Sequence, residues 1–362
     1  MTIYSDQTLI STPPEPMSKK VVFAAHIMGK TGWDMLASRN DIEVVTFPNT
    51  ISQESFRDLL RSYPSVHAVI LGLTKFGQEE LDAAHGLQVV SRLGVGYDAV
   101  DVNTLTTHGI PLLIGSNSNA LTVAEHTIFF LLNLAKRSVE IDALVREGQW
   151  LNRMNYLPND IFGKKIFIIG FGRIGQKVAA LCQALGMEIS VYDPYVSIEE
   201  ITKNRVEWII NLEDGLNQAD FISLHCPKTS ETIGLINADR LQQVKKGAYL
   251  INTARGGIVD ETALYKALVS GHLAGAALDV FLPEPPLVTN PLLTLPNVIC
   301  SPHLAGVTKE SVERMASLAV SNVLSVFDSH ISAENVINPD FIDYRKSSLC
   351  DEKTNLLKVE IS

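Results

Sequence analysis

Short apolar runs rich in β-branched residues punctuate the first third of the chain, at residues 21–25, 44–47, 68–71, 89–93 and 110–114. Segments with helical spacing lie between them, for example 53–61 and 78–84. Strands alternating with helices predict a parallel sheet covered by helices on both faces. A longer helical pattern follows over 122–147 and carries Glu125, His126 and Asn133, so it does not read as a membrane segment. Its apolar density predicts packing against a core or against another subunit. The alternation then restarts, with a strand at 165–169, a helix at 174–185 and a strand at 188–192. Further strands are expected at 206–210, 221–225, 249–252, 275–280 and 298–301, and a final helix at 309–327. The expected fold class is α/β, with two doubly wound parallel-sheet domains.

Composition narrows the partners. A length of 362 residues suggests two domains, and 46% hydrophobic with 19% charged residues is ordinary for a globular chain. The net charge of −10 repels phosphate backbones and anionic lipid, and no run of Lys and Arg reverses this locally. Neither a nucleic acid nor a membrane is an expected partner. Cys182, Cys226, Cys300 and Cys350 are scattered, without CxxC or metal-ligand spacing, so reduced thiols and no metal are expected. The first residues lack a basic start followed by an apolar core, so no signal peptide is expected, and the compartment expected is the cytoplasm. Residues 1–18, with Pro13, Pro14 and Pro16, read as a flexible tail, and 341–362 as a second one.

The first motif that carries chemistry is Gly170-Phe171-Gly172-Arg173-Ile174-Gly175. GxGxxG alone is a weak signal, but here an apolar strand precedes it and a helix follows. Gly170 permits the tight turn, Gly172 lets backbone approach a pyrophosphate, and Gly175 allows close helix–strand packing. The helix N-terminus offers free N–H groups to an anion. Asp193 ends the next strand, where a carboxylate can accept from both ribose hydroxyls and repel a 2′-phosphate. Pro194-Tyr195 supplies no compensating Arg, so NAD is favoured over NADP. The plainer alternative is a structural turn followed by a surface acid.

Three later segments place polar groups after apolar runs: Asn252–Gly257 with Arg255, Asp279–Pro285 with Glu284, and Ser301–Gly306 with His303. Ligands of open α/β sheets bind outside the carboxyl ends of strands, so these three side chains are candidates for one cleft. Taken singly, each is more often a solvated charge or an ordinary surface or core histidine.

Together the segments resemble the D-isomer-specific 2-hydroxyacid dehydrogenase family. The resemblance runs from about residue 20 to 340. It is carried by Arg92-Leu93-Gly94-Val95-Gly96-Tyr97-Asp98, Val123-Ala124-Glu125-His126, the glycine turn with Asp193, and His225-Cys226-Pro227 with Thr232. The segments holding Arg255, Glu284 and His303 complete it. It implies a Rossmann NAD-binding domain, about 118–304, inserted into a flavodoxin-like substrate domain, about 19–117 plus 305–340. It also implies a homodimer formed through the NAD-binding domain.

The resemblance assigns roles. His303 is the implied acid/base, Glu284 its partner, and Arg255 the residue that binds the substrate carboxylate and carbonyl. Backbone N–H groups at Val95 and Gly96, with Asn119, are implied on the substrate. Implied cofactor contacts are Thr122, Gly170, Gly172, Arg173, Ile174, Gly175, Asp193, His225, Cys226, Pro227 and Thr232. Thr253, Ala254, Arg255, Asp279, His303 and Ala305 join them around the nicotinamide, with Asp279 an acceptor there. The partner implied is a small 2-hydroxy or 2-keto acid.

Substrate choice departs from one branch of the family. Phosphoglycerate dehydrogenases carry an Arg-Ser pair after the third strand, where this chain has Leu71-Gly72-Leu73-Thr74-Lys75. Hydroxypyruvate, glyoxylate and 3-phosphoglycerate all stay open. Formate dehydrogenases pair their histidine with Gln, against which Glu284 argues. A rival of another class is a non-catalytic NAD-sensing corepressor on the same fold.

Overall fold

The computed structural model describes residues 19–26 and 28–348; the expected tails at 1–18 and beyond 348 lie outside the described residues. In chain order come β1 (Lys20–Ala25), α1 (Lys30–Ala37), β2 (Ile42–Phe47), α2 (Gln53–Arg61), β3 (Ala68–Leu71) and α3 (Gln78–Ala83). Then follow β4 (Val89–Arg92), α4 (Val102–Thr107), β5 (Leu112–Leu113), α5 (Ala120–Lys136), α6 (Ser138–Arg146) and β6 (Lys165–Ile169). Next are α7 (Arg173–Ala184), β7 (Glu188–Tyr192), α8 (Ile198–Lys203), β8 (Glu207–Trp208), α9 (Leu212–Gln218) and β9 (Phe221–Leu224). The chain continues through α10 (Ala238–Gln243), β10 (Tyr249–Asn252), α11 (Glu261–Val269), β11 (Gly275–Leu278) and β12 (Val298–Cys300). It ends its described course with α12 (Lys309–Phe327) and α13 (Phe341–Ser348). These residues divide into two compact units, one running to Ser116 and resuming at Val312, the other Asn117–Ser311.

The first unit is a five-stranded sheet in the order β2-β1-β3-β4-β5, with every pairing parallel. Both faces are covered. Phe23 and Ala25 pack with Phe56 and Leu60 on one side, while Val22 and Ala24 pack with Ala316, Val320 and Val323 on the other. Such strands read as unbroken apolar runs because neither face meets water. Local polar groups set the helix starts. Ser52 accepts from Ser55 N–H and Asp101 from Thr104 N–H at the caps of α2 and α4. Gly29 cannot cap α1, so the Glu313 carboxylate accepts from Lys30 N–H at 2.9 Å and Thr31 N–H at 2.8 Å. The stretch from Phe341, expected as tail, begins with α13; Phe341 is only 1% exposed and packs into this core.

The second unit is a seven-stranded parallel sheet, β12-β11-β10-β9-β6-β7-β8. Ile166 and Ile168 of β6 pack with Phe130 and Leu131 of α5, and Phe167 and Ile169 with Leu216 and Leu264 on the opposite face. Chain order reverses direction at β6, whose neighbours are β7 and β9, so the crevice at its carboxyl end is the ligand position of a doubly wound sheet. The long helix expected over 122–147 is two helices. Arg137 stands between them at φ 50°, and its guanidinium is clamped by Glu140 with two bonds of 2.7 Å. Residues 305–311, expected with the substrate domain, belong to this second unit. The Asp279 carboxylate holds the start of that stretch by accepting from Leu304 N–H and Ala305 N–H at 2.8 Å each. No described helix is long and apolar enough to cross a membrane.

Candidate active site

The glycine turn at the end of β6 takes the form its spacing requires. Gly170 has φ 95°, and a Cβ there would lie 2.6 Å from Cys226 N and 2.8 Å from the His225 carbonyl oxygen. Gly175 brings α7 against the turn, since a Cβ on it would sit 2.2 Å from Gly170 O. Gly172 differs: no atom lies within 4 Å of the place its Cβ would take. It heads α7 without any side-chain cap and without an acid in the first turn, which leaves the N–H groups of that turn to an outside acceptor. Arg173 is exposed beside this open space, and Ile174 is half-buried behind it.

A cavity of about 260 Å³ continues from the turn. Gly170, Asp193, Tyr195, Cys226, Pro227 and Thr232 contribute to its walls, as do Glu231 and Leu235. Asp193 is aimed by the backbone: one carboxylate oxygen accepts from Phe171 N–H at 2.7 Å and the other from Tyr195 N–H at 2.9 Å. The Tyr195 hydroxyl donates to Glu231 on another wall of the cavity. Thr232 shapes its loop, donating to Pro227 O at 2.6 Å and accepting from Thr229 N–H at 2.7 Å. Burial pushes the Cys226 thiol up to about 11, so that wall is neutral. Burial likewise pushes His225 down to about 3; the neutral ring bonds Ser223 Oγ through Nε2 at 2.8 Å and leaves Nδ1 buried without a partner. The open approach at Gly172, the uncapped helix start and the acid-walled cavity together fit a dinucleotide.

Three loops at the carboxyl ends of β10, β11 and β12 carry the polar candidates. Asn252, 2% exposed, shapes the first by accepting from Ala254 N–H and donating to Arg255 O, both at 3.0 Å. Thr253 is buried against Thr127, with 3.1 Å between hydroxyls. The next glycine is obligatory, because a Cβ on Gly256 would stand 1.8 Å from the Phe281 carbonyl oxygen. The loops holding Arg255 and Glu284 therefore meet backbone to backbone. Glu261 at the start of α11 fixes the second loop from outside, accepting from Leu282 N–H and from Asn290 Nδ2 at 2.8 Å each.

His303 Nδ1 lies 2.8 Å from Glu284 Oε2, and Glu284 Oε1 accepts from Phe281 N–H at 3.0 Å. The bond to Glu284 raises the His303 pKa, against burial and the nearby Arg255 charge. Burial works to raise Glu284, but the bonds from His303 and Phe281 outweigh it, and its carboxyl ends below the ordinary glutamate value. Arg255 is close enough to influence both groups, so the structure brings the three together. Sequence reasoning singled out all three but missed what holds them. Asn252 and Glu261 look like ordinary strand-end and helix-start residues, and only the folded loops give them donors and acceptors.

Asp279 was expected as an acceptor for the cofactor. It is 1% exposed, and its carboxylate accepts from the Ser301 hydroxyl, Leu304 N–H and Ala305 N–H. Ala254 and Ala305 are buried in the neighbouring loops, and Thr122 is buried in the first turn of α5. Asn119 precedes that helix without capping it; its Oδ1 is buried and unpartnered. Val95 and Gly96 belong to the first unit, half-buried in the loop after β4, where Arg92 Nε donates to Gly96 O at 2.9 Å.

A parallel sheet with a glycine turn and a strand-end acid at its switch point is the scaffold of a dinucleotide-binding protein. Residues 128–305 match the family model for the D-isomer specific 2-hydroxyacid dehydrogenase, NAD binding domain. The chain is 37% identical over 285 residues to a D-3-phosphoglycerate dehydrogenase of Archaeoglobus fulgidus, covering 78% of this chain and 54% of that one. It spans about half the length of the curated relatives it matches. A crystal structure of a protein from Thermus thermophilus superposes with a TM-score of 0.78 at 34% identity, covering 88% of this chain and 99% of the other. The NAD-dependent formate dehydrogenase of Staphylococcus aureus, in complex with NAD, gives 0.75 at 27% identity, with 88% and 98% covered. The chain belongs to the D-isomer-specific 2-hydroxyacid dehydrogenase family.

Proposed function

We propose that this protein is an NAD-dependent oxidoreductase that interconverts a D-2-hydroxy acid and its 2-keto acid. Hydroxypyruvate with glycerate, glyoxylate, and 3-phosphoglycerate are the candidate substrates. The observation that carries the reading is the His303–Glu284 pair at 2.8 Å, beside Arg255, on an NAD-binding domain.

NAD would be held by the N–H groups around Gly172 to Gly175, with its adenosine ribose at Asp193. When bound it supplies or accepts the hydride at C2. The chain's own residues handle charge and protons. Glu284 engages Nδ1 of His303, which leaves Nε2 as the atom that gives a proton to the keto oxygen or takes one from the hydroxyl. The raised pKa of His303 favours the proton-carrying form needed for reduction. Arg255 offers a planar fork to the substrate carboxylate and keeps C2 in place. Glu284, rather than Gln, argues against formate as the substrate.

The test is a panel of 2-keto acids containing hydroxypyruvate, glyoxylate, pyruvate and 3-phosphohydroxypyruvate, each with NADH and NADPH. We expect NADH oxidation with at least one acid, faster than with NADPH. The segment Leu71–Lys75 lacks the Arg of the pair that phosphoglycerate dehydrogenases carry there, so an unphosphorylated acid is expected to outrun the phosphorylated one. No turnover with any acid, together with retained NADH binding, would favour the corepressor-like reading.

A second copy of the chain is the expected partner. Leu121 and Phe129 on α5, and Trp150, Leu151, Met154 and Leu157 beyond α6, leave large apolar side chains exposed within the second unit, Leu151 at 87%. Exposed apolar side chains of this size are costly in water, and a partner surface that covers them relieves that cost. Light scattering on the purified protein is expected to give the mass of two chains, and the mass of one would remove this proposal.

A further inference from the structure

The loop that carries His303 hangs on a polar chain, His126–Ser301–Asp279, that ends at a buried carboxylate. His303 itself stands at φ 54°, a left-handed conformation that is unfavourable for a non-glycine residue and persists only where surrounding bonds fix it. Asp279 provides those bonds. Its carbonyl accepts from His303 N–H at 2.8 Å, and its carboxylate takes Leu304 N–H and Ala305 N–H at the same distance. The Ser301 hydroxyl also donates to that carboxylate.

The direction of every proton follows. A carboxylate that receives three donors is an acceptor, so the single hydroxyl proton of Ser301 points to Asp279. Ser301 Oγ has a second polar neighbour, His126 Nε2 at 3.1 Å, and can only accept from it. His126 Nε2 is therefore the protonated nitrogen. The ring is half-buried against Phe129 and Phe130, with centroids 5.4 Å and 4.5 Å away, and burial lowers its pKa, which favours the neutral form.

We propose that His126 is a positioning residue for the reaction: its Nε2–H orients Ser301, Ser301 orients the Asp279 carboxylate, and Asp279 sets the loop in which His303 stands. The proposal rests on His303 being the acid/base. A misplaced reacting group costs rate without costing coenzyme affinity, because the cavity walled by Gly170 and Asp193 is formed by other loops.

The test compares His126→Leu, which removes the donor, with His126→Gln, whose amide nitrogen can replace it. Steady-state kinetics use the best keto acid of the panel with NADH, and NADH affinity is read by fluorescence. The expected result is a kcat about tenfold lower in His126→Leu, an unchanged NADH affinity, and recovery of most of the loss in His126→Gln. Ser301→Ala, which breaks the same chain with less change in volume, is expected to match His126→Leu and serves if that variant does not fold. A kcat within twofold of the parent in either chain-breaking variant overturns the proposal. So does an equal loss in the Gln variant, which would mean that ring packing alone matters. Turnover that survives His303→Ala sinks the underlying reading instead, and the two failures are read on different variants.

Discussion

His303→Ala is expected to lower kcat about a thousandfold and to leave NADH binding close to that of the parent protein. General acid–base groups contribute roughly 10²–10⁴ in rate, and the middle of that range is the expectation here. Coenzyme affinity is spared because the glycine turn, Asp193 and the loop at Thr232 wall the cavity, and His303 is not among its lining residues. The truncation also leaves the loop itself intact. Its anchors are the His303 N–H on Asp279 O and the two N–H groups on the Asp279 carboxylate, all made by backbone that alanine retains. Fluorescence titration with NADH alongside steady-state kinetics separates the outcomes. If affinity collapsed together with rate, the histidine would belong to the coenzyme site and not to the proton.

Glu284→Gln is expected to lower kcat for keto-acid reduction about ten- to a hundredfold at neutral pH and to move its pH profile. Gln keeps an oxygen that can accept from Nδ1, so the ring stays oriented while the charge is lost. The bond to the carboxylate is the first cause of the raised His303 pKa, and its removal leaves burial and Arg255 pulling the value down. With His303 as the proposed acid, reduction needs its protonated form, so the rate is expected to fall as pH rises through that pKa. In the variant this alkaline limb moves to lower pH. Oxidation of the hydroxy acid needs the neutral ring, and its acid limb moves to lower pH as well. Rate profiles in both directions check the sign, and limbs that stay in place would show that Glu284 does not set the histidine's charge.

Much of the fold was legible because its strands are buried on both faces. Runs such as Ala68–Leu71 and Tyr249–Asn252 stand out in sequence for that reason. The break at Arg137 was not. Neither Gly nor Pro marks it, and the left-handed turn is held by the pair with Glu140, a contact that exists only once both helices have formed. β8 shrinks to Glu207–Trp208 at the sheet edge, where only β7 supplies hydrogen bonds. At the site, the groups of distinctive chemistry could be picked out: a glycine turn, an arginine, a glutamate and a histidine. The polar groups behind them could not. Asn252 accepts from Ala254 N–H, Glu261 from Leu282 N–H, and Ser301 donates to the Asp279 carboxylate, contacts that exist only once these loops are folded together.

Gly256 places the backbone after β10 against the backbone after β11, with no side chain between them. A joint of this kind tolerates no gradual adjustment. Side chains can be exchanged one methylene at a time, but two peptide planes in contact are either seated or apart. The arginine and the glutamate whose loops it links are thus fixed features of the proposed site, and a lineage of such chains could acquire new substrates only by redrawing surfaces that this joint does not touch.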